Sequence, residues 1–256
     1  MARGNVCYYC GTSLRGGKTG NREVEHIPPR MLFRAFSCDS ITVPACSLHN
    51  TSRSDQDQTI IAGFIKSLAS GNYSLSPDVQ KAIAYEKNKS TFDTTKKTAQ
   101  LKPLFRRSRG SLKRMPKLSY ISFNLKDWIC QITSGLIFDA THNYDPSIDW
   151  QDVFIHDPNW YSAPQKRLSK TEVIRLTKEK LALTELYEKS LNWLNGWSSH
   201  PNPYPSDIYR FYIAFSDNSI FFKHVFYNSF VWYIGFQCSE NTHKSLNYKI
   251  VSANGS

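Results

Sequence analysis

Two short cysteine and histidine pairs near the start of the chain constrain its fold more than any other feature. Cys7 and Cys10 are separated by two residues, and so are Cys46 and His49. A two-residue spacing lets a tight turn present both side chains to one ion, and Zn²⁺ takes four such ligands in a tetrahedron. The two pairs, with 35 residues between them, therefore predict a structural zinc site.

The alternative is that these cysteines are ordinary core thiols, since six cysteines in 256 residues is common usage. Both pairs, however, lie in sequence rich in Gly, Ser and Pro with little apolar periodicity. Such a segment has few means of ordering itself without a metal. Cys38 is an alternative ligand, but it has no partner at two-residue spacing.

A carboxylate stands beside a histidine between the two pairs. Glu25 and His26 are followed by Ile27, Pro28 and Pro29, and the two prolines predict a rigid, extended exit from a strand. A lone histidine is more often a solvated or core residue than a catalytic one. An imidazole nevertheless titrates near neutral pH, which suits a general base. A zinc staple would bring these residues close to Asn50.

These segments together resemble a known family. Cys-x₂-Cys, then Glu-His-Ile-Pro-Pro, then Val-Pro-Ala-Cys-x₂-His-Asn over 43–50 resembles the HNH endonucleases of the ββα-metal type. It is more closely similar to small bacterial HNH proteins that carry such segments in the same order. The specific match covers residues 7 to about 57.

The resemblance implies divalent-metal-dependent hydrolysis of phosphodiester bonds, with double-stranded DNA as the expected substrate. It assigns the general base to His26 and the catalytic Mg²⁺ or Mn²⁺ to Glu25 and Asn50, and it makes the zinc ion structural. A role in bacterial defence against phage is an expectation that rests on the family resemblance alone. Two alternatives stay open: a non-catalytic zinc-containing nucleic-acid-binding protein, and an HNH-type RNase.

The chain departs from the family pattern at three places. Glu25 stands where Asp is commoner, and His49 stands where the fourth zinc ligand is usually Cys. No asparagine follows at the middle position that orients the catalytic histidine, so Asp39 or Ser40 would take that role. A further metal ligand would come from the helix after Asn50, and the candidates are Asp55 and Asp57.

The net charge of +11 is concentrated in one stretch. Between Asp93 and Asp127 the chain carries ten Lys or Arg residues and no acid. Such a run predicts contact with a polyanion, here nucleic acid, with an affinity that falls steeply with salt. The alternative is a solvated loop. The candidate nucleic-acid-binding residues are Lys96, Lys97, Arg106, Arg107, Arg109, Lys113 and Arg114.

Apolar spacing predicts helices over 59–68, 77–88 and 126–138, and a capping box at Ser169 opens a further one ending near Trp193. Thirteen aromatic residues fall between Tyr204 and Phe236, in a pattern that predicts strands over 208–215, 220–227 and 230–236. Aromatic strands can stack single-stranded bases, but interleaved Ile and Val favour a buried sheet.

The sequence therefore predicts an α+β protein with an N-terminal zinc-stapled ββα-metal HNH motif and a C-terminal helix plus antiparallel aromatic-rich sheet. The predicted regions are a nuclease module over 1–70, a helical and basic connection over 71–126, and an α+β body over 127–256. We expect a cytoplasmic protein, because no signal-peptide core or bilayer-length apolar run is present and three cysteines have no predicted partner. A regulatory protein partner or a homo-oligomer stays open.

Overall fold

The structure is a computed structural model that describes ten segments of the chain, namely residues 5–14, 23–50, 53–70, 75–88, 104–108, 111–115, 121–156, 198–199, 203–216 and 219–246. Helices and strands are mixed in these segments, and every pair of described neighbouring strands is antiparallel. The predicted α+β class is confirmed at this level.

The N-terminal unit is built on a hairpin of β1 (Glu23–Ile27) and β2 (Ile41–Ala45). Pro44 has no N–H to donate, which strands tolerate at an edge. Pro44 lies opposite Val24 in the hairpin. Its carbonyl accepts a 2.9 Å hydrogen bond from the amide of Tyr8. Because Tyr8 follows Cys7 directly, this bond ties the first cysteine pair to the strand that leads to the second.

Two turns of 3-10 helix precede the α-helix that completes this unit. The first covers Arg30–Phe33 after the double proline, and the second covers Ser47–His49. Helix α1 then runs over Ser54–Ser70. The apolar residues that predicted it are buried, so the predicted helix is confirmed with an earlier start: Ile60, Ile61, Phe64, Ile65 and Leu68.

Helix α2 spans Pro77–Asn88, as predicted. Its first residue is proline, whose fixed φ suits the first helical position, and the Ser76 hydroxyl before it accepts a hydrogen bond from the Val79 amide at 3.4 Å. Helix α3 spans Ile121–Thr141 and contains the predicted 126–138 helix.

Helix α3 passes very close to the N-terminal hairpin. A Cβ atom added to Gly135 would lie 2.4 Å from Cγ1 of Ile27, closer than real carbon atoms approach. Glycine at this point of the helix therefore allows the strand that carries His26 to lie directly on α3.

The C-terminal sheet has five described strands. Strands β7 (Tyr209–Ser216), β8 (Ser219–Phe226) and β9 (Phe230–Gln237) confirm the three predicted aromatic strands. The short strands β5 (Phe154–His156) and β6 (Ser198–Ser199) flank them, so the order across the sheet is β5-β9-β8-β7-β6. Strands β3 (Leu104–Ser108) and β4 (Ser111–Met115) form a separate hairpin.

One face of this sheet packs on the helices through aromatic side chains. The ring of Phe64 in α1 stacks on Phe230 and Trp232 at centroid distances of 4.7 and 5.4 Å, and it meets Trp128 of α3 edge-on at 6.0 Å. The expectation of a buried aromatic sheet is confirmed for this face. The core is continuous across residue 70, while the predicted division into three regions stays a prediction.

A histidine is buried in this core with its polar atoms satisfied. Thr133 donates its hydroxyl proton to the carbonyl of Ile129, so its oxygen accepts a proton from Nε2 of His224 at 2.9 Å. The remaining nitrogen, Nδ1, then accepts from the hydroxyl of Tyr209 at 2.9 Å. His224 therefore joins α3 to β7 and β8 as a neutral ring.

The predicted helix from Ser169 to Trp193 lies outside the described residues. Within the described segments, no helix combines the length and apolar character needed to cross a membrane.

Candidate metal centre and active site

The two predicted pairs come together in the structure. The four candidate ligand atoms, one from each side chain, lie within 4.8 Å of one another. In the described part of the chain this is the only group of three or more Cys, His, Asp or Glu side chains close enough to share an ion. The cluster consists of Cys7, Cys10, Cys46 and His49.

Its dimensions fit a tetrahedral ion. Ligands at about 2.3 Å from zinc are separated from one another by about 3.8 Å, the edge of the tetrahedron. The Sγ atoms of Cys10 and Cys46 lie 3.9 Å apart. The Nδ1 atom of His49 lies 3.7 Å from Sγ of Cys7 and 3.2 Å from Sγ of Cys46. The cluster can therefore hold a metal ion such as zinc.

The protonation of the cluster depends on the ion. Without metal, burial raises the pKa of the Cys7 thiol to about 11, so a cation is needed to make it a thiolate. Burial and the nearby Arg53 guanidinium lower the pKa of His49, so its imidazole is neutral and ready to bind at neutral pH.

Aromatic rings support the ligands from outside. The Tyr9 ring lies 5.0 Å from the His49 ring and stacks on Trp150 at 5.9 Å. Gly11, directly after Cys10, has a φ of +68°, and a Cβ there would lie 2.5 Å from the Tyr144 ring. Glycine is therefore required at position 11 for both the backbone and the packing. The remaining candidate, Cys38, is not a member of the cluster.

Glu25 and His26 occupy opposite faces of β1, because successive side chains of a strand alternate. Glu25 is 6% exposed and faces the interior, whereas His26 is half-buried and faces outward. The structure thus places the two adjacent residues on different sides of the hairpin.

The buried face carries a cluster of charged residues. Burial, followed by the charge of Asp57, raises the pKa of Glu25 to about 8 against the opposing effect of Arg53. Burial also raises the pKa of Asp57, whose Oδ1 accepts a 2.7 Å hydrogen bond from the Trp128 indole. Arg53 donates to the Tyr8 hydroxyl at 3.3 Å. Two carboxyl groups and one guanidinium therefore share a buried space between β1 and α1.

The exposed face carries His26 and its partner. The Nδ1 atom of His26 lies 2.8 Å from the hydroxyl oxygen of Ser40, the residue before β2. Ser40, rather than the exposed Asp39, therefore holds the imidazole. Partial burial, and then the charge of Arg30, lower the pKa of His26. A neutral imidazole at neutral pH is the form that accepts a proton from water.

Two other predicted ligands lie around the start of α1. Asn50 is half-buried in the turn before the helix, and its carbonyl accepts a 3.0 Å hydrogen bond from the amide of Arg53. Asp55 belongs to α1, and its side chain lies outside the described atoms. Asp57, the other acidic candidate on α1, lies close enough to Glu25 for its charge to raise the Glu25 pKa.

Part of the basic stretch folds into a β-hairpin. Arg106 and Arg107 belong to β3, and Lys113 and Arg114 belong to β4, with Arg106 in register with Lys113. The predicted nucleic-acid contacts of this stretch stay a prediction. Three further predicted residues lie outside the described part: Lys96, Lys97 and Arg109.

Sequence reasoning missed Arg53 and Tyr204 as site residues. Arg53 stands four positions before Asp57, a spacing typical of side chains that interact at the start of a helix, and this signal could have linked them. Tyr204 hydrogen-bonds the ends of β1 and β2 from the distant C-terminal half, and no local pattern marks it.

Comparison with known proteins finds no matching family model, and searches of curated proteins and of solved structures give no significant match. Any functional assignment therefore depends on the residues of this site.

Proposed function

We propose that this chain is a divalent-metal-dependent endonuclease of the HNH type, which hydrolyses phosphodiester bonds in double-stranded DNA. The observation that carries the proposal is the pairing of His26 with Ser40 on the exposed face of a hairpin beside a Cys/His metal cluster. A half-buried histidine fixed in this way suits a general base.

His26 would act through its second nitrogen. When Nδ1–H donates to Ser40, Nε2 keeps its lone pair and can take a proton from the attacking water. The proton then resides on the imidazole, and the hydroxide attacks phosphorus. Because the His26 pKa is lowered, the neutral base is the dominant form at pH 7.

Glu25 and Asn50 would hold the catalytic Mg²⁺ or Mn²⁺, with Asp57 as a further oxygen donor. The donor set fits, since such ions prefer oxygen ligands and two ionised carboxylates beside one Arg53 guanidinium leave one negative charge. The ion would stabilise negative charge on the leaving oxygen. In an in-line displacement the attacking water and the leaving oxygen lie on opposite sides of phosphorus. His26, which would activate the water, and the metal ligands, which would stabilise the leaving oxygen, therefore need not lie on the same face of β1.

The basic hairpin of β3 and β4 and the surrounding Lys and Arg residues would supply contacts to phosphates. The ten positive charges between Asp93 and Asp127 suit a sequence-independent interaction with the nucleic-acid backbone. The zinc ion would hold the hairpin and the start of α1 together and take no part in the reaction.

A non-catalytic zinc-containing nucleic-acid-binding protein is the second candidate. The burial of Glu25, with a pKa raised to about 8, favours it, because a protonated carboxyl does not bind a cation. In that case Glu25 would be a structural residue beside Arg53, and His26 would be dispensable.

Nicking of supercoiled plasmid by zinc-loaded protein separates these functions. Reactions with and without Mg²⁺ or Mn²⁺ would be compared for the wild type, His26→Ala and a control His243→Ala, with zinc content measured for each. We expect metal-dependent cleavage that falls by at least about 100-fold in His26→Ala only. Binding of DNA without cleavage would favour the second candidate, and cleavage of structured RNA alone would identify an RNase.

A further inference from the structure

Tyr204 reaches from the C-terminal half of the chain into the N-terminal hairpin. It lies in the loop before β7, and its ring is 5% exposed. The ring stacks on Phe33 with centroids 4.3 Å apart and planes inclined by 15°. It also meets the ring of Tyr209 in β7 edge-on, with centroids 5.9 Å apart. These contacts fix the ring between the two halves of the molecule.

The hydroxyl of Tyr204 bridges the two strands of the hairpin. It donates a hydrogen bond to the carbonyl of Ile27 and accepts one from the amide of Ile41 at 2.8 Å. Ile27 and Ile41 are register partners and form the last pair of the hairpin. A side chain from a residue 163 positions away therefore links the backbone of β1 to that of β2 at the end where the strands part.

This bridge is next to the proposed base. His26 directly precedes Ile27, and Ser40 directly precedes Ile41, so the bridged residues each follow one partner of the His26–Ser40 hydrogen bond. A shift of either strand end would change the distance between the imidazole and the hydroxyl that holds it. The Tyr204 hydroxyl opposes such a shift, because the buried carbonyl of Ile27 would lose its hydrogen-bond partner.

We propose that Tyr204 is a positioning residue for His26, through which the C-terminal sheet holds the His26–Ser40 pair in its productive geometry. The catalytic consequence rests on the proposed nuclease function, whereas the structural one does not. The proposal gives the C-terminal body a role in the site. Tyr204 packs on Tyr209 of β7, and the hydroxyl of Tyr209 is held by a hydrogen bond to the buried His224.

The test removes the hydroxyl and keeps the ring. Tyr204→Phe would be compared with Tyr212→Phe, a control on the half-buried Tyr212 of β7 beside Lys223. For each variant the His26 imidazole signals would be recorded by NMR, with their assignment taken from His26→Ala. The same samples would give kcat, KM, thermal unfolding and zinc content.

We expect Tyr204→Phe to bind zinc like the wild type and to move the His26 signals in the direction seen for Ser40→Ala. Its kcat should fall about tenfold with KM nearly unchanged, because misplacement of a base affects the chemical step. The double variant with Ser40→Ala should lose less than the product of the two single losses, since both changes act on one imidazole.

Unchanged His26 signals in folded Tyr204→Phe would overturn the proposal, as would a rise in KM with unchanged kcat. If the wild type does not cleave nucleic acid, the proposed nuclease function fails, but the His26 signals still decide the positioning role. Should Tyr204→Phe not fold, Phe33→Leu removes the ring on which Tyr204 stacks and should move the same signals; unmoved signals there would overturn the proposal equally.

Discussion

The Nδ1 atom of His26 lies 2.8 Å from the hydroxyl of Ser40, fourteen residues further along the chain. At this point of the chain the HNH resemblance expects an asparagine, and the sequence offers Asp39 or Ser40 instead. Both residue types can accept a proton from Nδ1–H, and either choice leaves Nε2 as the acceptor for a water proton. In the proposed nuclease, the Ser40 hydroxyl would perform the orienting function with a shorter side chain.

Removal of this hydroxyl should weaken catalysis without weakening binding. For Ser40→Ala we expect kcat to fall about tenfold, which corresponds to one lost hydrogen bond of about 1.4 kcal/mol, with KM unchanged. Ser37→Ala, at an exposed serine three residues before Ser40, is the matched control. Steady-state cleavage of a short duplex measures both constants, and a kcat equal to that of the wild type would exclude the orienting role.

The pH dependence of cleavage should reflect the lowered pKa of His26. Burial and Arg30 favour the neutral imidazole, so the base stays active at a pH where an ordinary histidine is already protonated. We expect the acidic limb of kcat/KM to lie below about pH 6.5. A profile of initial rates between pH 5 and 8 tests this at saturating Mg²⁺. An acidic limb above pH 7 would contradict His26 as the titrating base.

The Cys/His cluster should contribute a large part of the stability of the N-terminal unit. Cys46→Ala should lose bound zinc and unfold the hairpin, because the metal ion would no longer join the turns of the two ligand pairs to the end of β2. Cys38→Ala is the control, since Cys38 stands outside the cluster, and it should keep one zinc ion per chain. Elemental analysis and circular dichroism would measure this, and equal zinc content in both variants would refute the ligand assignment.

Glu25 should make metal-free protein less stable as the pH rises. Its folded pKa of about 8 lies above its ordinary value of 4.5, so between these values the folded state binds a proton that the unfolded state has lost. Stability therefore falls as pH rises through this window.

Glu25→Gln removes this titration and should flatten the decline, with a relative gain on the order of a few kcal/mol at pH 8. Denaturant unfolding at pH 5 and pH 8 without Mg²⁺ measures it. Glu23→Gln on the same strand controls for the change of net charge. If the free energy of unfolding changes equally with pH in the wild type and in Glu25→Gln, the pKa of Glu25 is not raised in the folded state.

His224 should produce the opposite dependence. Burial lowers its pKa from 6.5 to about 3, so the unfolded state binds the extra proton between these values. Its contribution is complete above pH 6.5 and is lost as the pH falls towards 3. His224→Gln should be less stable at pH 7 by about 2 kcal/mol, through lost hydrogen bonds in the core. Its stability should also change less with pH, and equal slopes in urea unfolding series would contradict the assignment.

Much of the local structure could be predicted because it follows from spacing. The two-residue separation of the metal-binding pairs, the apolar period of α1 and the paired aromatic strands are all properties of short segments. The ends of the three aromatic strands differ from the predicted ones by at most one residue. Helix α3 is longer than predicted, because apolar periodicity marks the buried face of a helix better than its ends.

The candidate site was predicted only in part. The pattern named Glu25 and His26 together but not their placement on opposite faces, and it offered Asp39 and Ser40 equally. Adjacent strand residues alternate in direction, and which face is buried depends on the helix that packs there. Arg53, directly before α1, and Asp57 on α1 lie on the side of the hairpin that Glu25 faces.

The sequence by itself determined the ligand set of the metal cluster, the order of hairpin and helix, and the aromatic strands, because each depends on residues close together in the chain. Only the tertiary structure decided which side chain holds His26 and that Tyr204 closes the end of its strand. Those contacts join residues 14 and 163 or more positions apart, and such distances are set by the packing of whole elements rather than by any local pattern.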